Sequence, residues 1–90
     1  MKISFEQLLS VMEDHHYSKV IDRDGRCHFM RNEVWCFSVQ PTKKALEPII
    51  VRAAERCIEQ QIGKPFLMGE YILQQKIKKL QQQIWSMRRR

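Results

Sequence analysis

Phe5, Leu8, Leu9 and Met12, followed by His16, recur at i, i+3, i+4, i+7 and i+11, a spacing that places them along one face of a helix. Ser4 stands just before this run with Gln7 three residues on, the pattern of a capping box, and Ile3 and Leu8 hold the positions of a hydrophobic staple. The pattern predicts a helix from Ser4 to about His16. From Tyr17 the spacing changes to that of extended chain. Runs at 17–21, 26–30 and 34–39 are separated by Asp24-Gly25 and by Arg31-Asn32-Glu33, which predicts a three-stranded antiparallel meander.

Asp24-Gly25 between two apolar-rich runs is the dipeptide favoured in a two-residue type I′ turn, where both central residues need positive φ. Such a turn would set Ile21 opposite His28 and Val20 opposite Phe29, with His28 and Met30 on the Ile21 face. An even-numbered second turn would add Trp35, Phe37 and Val39 to that face. A three-residue turn at 31–33 would instead join Cys27 and Phe29 to the two aromatics, and the pattern leaves both registers open.

Pro41 ends the third strand, since proline cannot extend a ladder. Pro48 suits a first helical position, and Ile50, Ala53, Ala54, Cys57 and Ile58 form an apolar stripe that stops at Gly63, predicting a second helix over 48–62. Beyond Lys64-Pro65, Leu73, Ile77, Leu80, Ile84 and Met87 step by four, three, four and three residues, a heptad seam on a long third helix over about 67–88. The fold class is α+β in the order α-β-β-β-α-α. Residues 1–90 make one domain, with a body over 1–63 and a C-terminal helix within 66–90. Isoleucine at a (Ile77, Ile84) with leucine at d (Leu73, Leu80) suits a parallel homodimer. The competing expectation is that the stripe packs on the chain's own second helix.

Charge sharpens this picture. Residues 1–60 balance nine Lys/Arg against nine Asp/Glu, whereas residues 61–90 carry seven cations against Glu70 alone, so the whole net charge of +6 belongs to the last third. A basic arm on a neutral body points to a polyanionic partner. Lys76, Lys78, Lys79, Arg88, Arg89 and Arg90 are the candidate contacts to nucleic acid or to an acidic protein surface, and Trp85 is a candidate for stacking on a base; otherwise Trp85 would pack at the edge of the core. With 43 % hydrophobic and 29 % charged residues the composition is that of an ordinary globular chain. No apolar run approaches the roughly 18 residues of a membrane span, no signal-peptide core is visible at the N-terminus, and three cysteines without a Cys-x-x-Cys clip suggest a reducing, cytoplasmic location.

Candidate chemistry is sparse. His15, His16, Cys27, His28 and Cys36 come within 22 positions but match no zinc-ligand spacing, so no metal is expected. The three glycines are isolated and form no phosphate loop, so no cofactor is expected either. Gly25-Arg26-Cys27-His28 lies on the second strand of a body whose element order resembles that of double-stranded RNA-binding modules and of HicA-type toxins, ribonucleases that use a strand histidine in a Gly-x-His-His segment. The glycine-to-histidine distance is kept; the first of the paired histidines is absent and a third helix is added. That resemblance implies ribonuclease chemistry at His28, with Arg26 or Arg31 stabilising the phosphorane. The residues themselves point first to a non-enzymatic nucleic-acid-binding regulatory protein, second to a protein-binding inhibitor or adaptor of a larger nucleic-acid machine of the mobile-element type, and third to that ribonuclease.

Overall fold

The computed structural model describes residues 2–88. Its elements are α1 (Phe5–Asp14), β1 (Ser18–Ile21), β2 (Cys27–Arg31), β3 (Val34–Val39), α2 (Pro48–Ile62) and α3 (Met68–Arg88). This is the α-β-β-β-α-α, α+β arrangement that the periodicities predict.

Local chemistry sets the helix ends. The Ser4 hydroxyl accepts the Gln7 amide at 3.1 Å while the Gln7 side chain accepts the Ser4 amide at 2.9 Å, so the capping box forms in both directions. Helix α1 stops two residues before the predicted His16, because His16 takes φ 68°, outside the right-handed helical region. Pro48 opens α2 at its first turn, and Gly63 closes it in the left-handed conformation with its amide on the Glu59 carbonyl at 2.8 Å.

The first hairpin departs from the turn that Asp24-Gly25 favours, and the second takes the even-numbered turn of the two left open. Ile21 pairs with Cys27 and Val20 with His28, one residue away from the register a two-residue Asp24-Gly25 turn would give. The Asp22 amide bonds the Arg26 carbonyl at 3.0 Å and the Gly25 amide bonds the Asp22 carbonyl at 3.1 Å, leaving a three-residue loop with Gly25 at φ 82°. Asp22 decides this: its Oδ1 accepts the amides of Asp24 at 2.9 Å and Arg26 at 3.0 Å, closing an Asx turn that the shorter loop would not contain. The two-residue turn sits in the second hairpin instead, where Asn32 and Glu33 both take positive φ, 53° and 65°.

In the β1-β2-β3 sheet, Phe29 pairs with Phe37 but Met30 pairs with Trp35. One extra residue in β3, at Cys36, therefore splits the run that alternation alone would place on one face. Phe37 and Val39 join Cys27 and Phe29 against the helices, with the Phe29 and Phe37 rings stacked at 4.9 Å. Trp35 stays with His28 and Met30 on the open face. Such bulges re-aim side chains. Leu8, Val11 and Met12 of α1, Ala54 and Ile58 of α2, and Met68 and Ile72 of α3 complete the core. Among the described residues no helix is long and apolar enough to cross a membrane.

Candidate functional site

Helix α3 enters the core only with its first turns. Met68 and Ile72 are buried, whereas Leu73, Ile77, Leu80 and Ile84 are 52, 46, 59 and 52 % exposed. At 100° per residue the seam lies roughly 140° around the helix from the Met68–Ile72 side, so the stripe points away from the body. It does not pack on α2 in this chain. The residues that do pack, Met68 and Ile72, stand at the f and c positions of that heptad, a placement the spacing of apolar residues did not disclose.

The start of α3 is fixed from α2. Glu55 Oε2 accepts the Met68 amide at 2.8 Å and Glu59 Oε2 accepts the Phe66 amide at 3.0 Å. Arg52 reaches both carboxylates, at 3.4 Å and 3.2 Å. The Phe66 amide, with Arg52 second, holds the Glu59 carboxyl below its ordinary range, and the two carboxylates hold the Arg52 guanidinium above its own. From the other side the Tyr71 hydroxyl donates to Asp14 Oδ2 at 2.9 Å, and His15 packs 5.1 Å from the rings of both Phe66 and Tyr71. The arm thus leaves the body in a set direction.

Past Ile72, every side chain from Leu73 to Trp85 is exposed except half-buried Gln75. This stretch holds Lys76, Lys78 and Lys79 and no acid. None of the three lysines joins an ion pair among the described residues. Lys76 and Lys79 flank a cleft of about 300 Å³ between α1 and α3. Lys78 and Trp85, seven residues apart, share the opposite flank, and Trp85 is 67 % exposed rather than packed at the core edge. Arg89 and Arg90, and the side chains of Met87 and Arg88, lie outside the described residues.

His28 occupies a second constellation, on the open sheet face. Its Nε2 lies 2.8 Å from Asp22 Oδ2 and its Nδ1 2.5 Å from Ser38 Oγ, and Trp35 Nε1 donates to the same Oγ at 2.8 Å. The hydrogen bond from His28, and then the Arg26 amide, draw the Asp22 carboxyl below its usual value. Both ring nitrogens of His28 therefore have protein partners, and acid–base work on an external hydroxyl would require displacing one of them. Sequence reading put Trp35 on the His28 face for an even-numbered second turn, but it named neither Asp22 nor Ser38 as a partner of His28. Asp22 was hidden in the turn, and Trp35 and Ser38, three apart on a strand, share a face only because of the bulge at Cys36.

No cluster of three or more His, Cys, Asp or Glu suited to a metal ion exists among the described residues. The cysteines are free; Cys27 is buried and its thiol pushed up by burial, and Cys57 is raised to about 11 mainly by burial with Cys36 nearby. No protein-family model matches the chain, and no curated protein or solved structure matches it either.

Proposed function

We propose that this protein is a small non-enzymatic nucleic-acid-binding module of the cytoplasm, acting in regulation, that presents α3 as a basic arm. One observation carries the reading: the helix leaves the body at Leu73 and exposes Lys76, Lys78 and Lys79 with no acid beside them on the same stretch. Cations held on a rigid element and left unneutralised are what a phosphate backbone requires. Trp85, on the Lys78 flank, supplies a stacking face for an unpaired base.

The apolar side of the arm extends the reading to a pair of chains. A segment of this length is marginal as an isolated helix in water, and the Leu73-Ile77-Leu80-Ile84 seam is what a second copy would cover. In a parallel pair, heptad position g of one chain meets e of the next heptad of its partner, setting Lys76 against Gln81 rather than against a like charge. Lys78 and Lys79 then face outward on both sides.

The reading is tested by anisotropy titrations of duplex DNA, single-stranded DNA and structured RNA at two salt concentrations, with RNA integrity followed on a gel. Binding should weaken with salt by a log–log slope of about 0.9 per phosphate contacted on duplex DNA, and replacing Lys76, Lys78 and Lys79 by glutamine should lower that slope by about 2 to 3. Absence of binding to all three at low salt overturns the reading and leaves the inhibitor or adaptor role, with an acidic protein surface as ligand. Cut RNA, lost in His28→Ala, would establish the ribonuclease reading in its place.

A further inference from the structure

The hydrogen bonds on the open sheet face fix their own protons. Trp35 Nε1 is donor only and ionised Asp22 is acceptor only, so with the His28 ring neutral Nε2–H donates to Asp22 and the Nδ1 lone pair faces Ser38. The Ser38 hydroxyl must then donate to Nδ1 while its oxygen accepts from Trp35, at the 2.5 and 2.8 Å separations observed. This is the nucleophile–base–carboxylate order of an activated serine. Asp22 is itself anchored by the amides of Asp24 and Arg26, so the base is oriented by a group that has little freedom to move.

Ser38 also lines a cleft of about 450 Å³ beside the β3 edge, together with Arg26, Lys44 and Glu47; Val39, its neighbour on the strand, turns to the core face and is buried with Leu46. We propose that Ser38 is a nucleophile toward carboxylic esters, with His28 as its base and Asp22 and Trp35 as positioning residues. Arg26 and Lys44 supply positive charge for the oxyanion. Ser38 Oγ attacks the carbonyl carbon as its proton passes to His28 Nδ1. The C–O bond to the alcohol breaks, and the leaving alkoxide takes that proton from His28. Water, deprotonated by His28 in the second half, hydrolyses the Ser38 ester and releases the carboxylic acid. The indole N–H stabilises the charge that develops on Oγ as the proton departs. This activity is independent of the basic arm: it leaves nucleic-acid binding by α3 untouched and replaces only the non-enzymatic part of that reading.

The test uses the full chain and a fluorophosphonate probe, whose P–F bond is displaced by an activated serine with loss of fluoride. Peptide mass mapping should place the adduct on Ser38 and not on Ser10 or Ser18. Ser38→Ala should abolish it, and His28→Gln, with its fold checked by circular dichroism, should slow labelling by about 100-fold or more. Asp22→Asn should move the midpoint of the labelling–pH profile downward, because the imidazolium formed during attack loses its counter-charge; a merely loosened hairpin would leave that midpoint in place. Hydrolysis of a p-nitrophenyl butanoate probe should follow the same order of variants. No adduct under conditions that label an authentic serine esterase, adducts spread equally over Ser10, Ser18 and Ser38, or wild-type labelling in His28→Gln would each overturn the proposal.

Discussion

Glu55 Oε2 accepts the amide of Met68 at 2.8 Å, so a carboxylate on α2 caps the first turn of α3 across 13 residues of chain. Glu55 is the buried charged residue of the core, and it sits where negative charge is favoured, at a helix N-terminus. Glu55→Ala strands the Met68 amide and should cost about 1 to 3 kcal/mol, a fall in melting temperature of about 4 to 8 °C per kcal/mol in a domain of this size. Glu55→Gln keeps an acceptor and should recover part of that loss. The neighbouring Glu59 adds a pH dependence. Its folded value lies below the ordinary 4.5, so its contribution is whole above 4.5 and is lost as pH falls through the depressed folded value; Glu59→Gln should flatten the decline of stability on acidification.

The tyrosines govern the alkaline side. Tyr17 is raised to about 12 by burial first and the nearby Cys36 second, while its hydroxyl donates to the Cys57 carbonyl at 3.2 Å. Tyr71 reaches about 12 through burial and then its bond to Asp14. The chain contains only these two tyrosines. The ultraviolet phenolate band of the folded protein should therefore stay weak at pH 10, where the unfolded chain is half-titrated. A folded value above the unfolded one favours the neutral phenol, so stability is intact below 10 and falls between 10 and 12. Phenolate appearing at pH 10 without unfolding would show that neither hydroxyl is held as described.

What the chain disclosed of this arrangement tracks the range of the interactions. Ser4 with Gln7, Pro48 and Gly63 act on their own neighbours, and each helix end they imply lies where expected or within two residues. The hairpin registers needed more. Asp24-Gly25 reads as a two-residue turn until the Asp22 side chain claims two amides, and the bulge at Cys36 arises from pairing across the sheet, with no local signature. The caps from Glu55 and Glu59 join α2 to α3 and read in the sequence as ordinary helix-surface acids. Candidate cations were legible because charge counts need no geometry; the hydrogen bonds of His28 to Ser38 and Asp22 were not, because three strands had to be brought into register first.

Exposure separates the two stripes of α3, and mutations should follow it. Ile72 is 7 % exposed and Leu80 59 %. Ile72→Ala removes core contacts and should cost about 2 to 5 kcal/mol at any protein concentration. Leu80→Ala in a monomer touches nothing that is buried, and surface substitutions of that kind fall within about 0.5 kcal/mol. If a second copy covers the seam, the same substitution weakens association, and its effect on the melting temperature should grow as protein concentration rises. Light scattering coupled to size exclusion supplies the direct reading: two chains per particle for the parent, one for Leu80→Ala or Ile77→Asn. A parallel, in-register pair makes one further demand. Leu80→Cys, with Cys36 and Cys57 replaced by serine to remove the two half-exposed thiols, should form an intermolecular disulfide on mild oxidation, because equivalent d positions face each other only in that alignment. Failure to crosslink in a particle of two chains would assign the dimer to an antiparallel arrangement or to another surface, and a large, concentration-independent cost of Leu80→Ala would return the seam to the chain's own core.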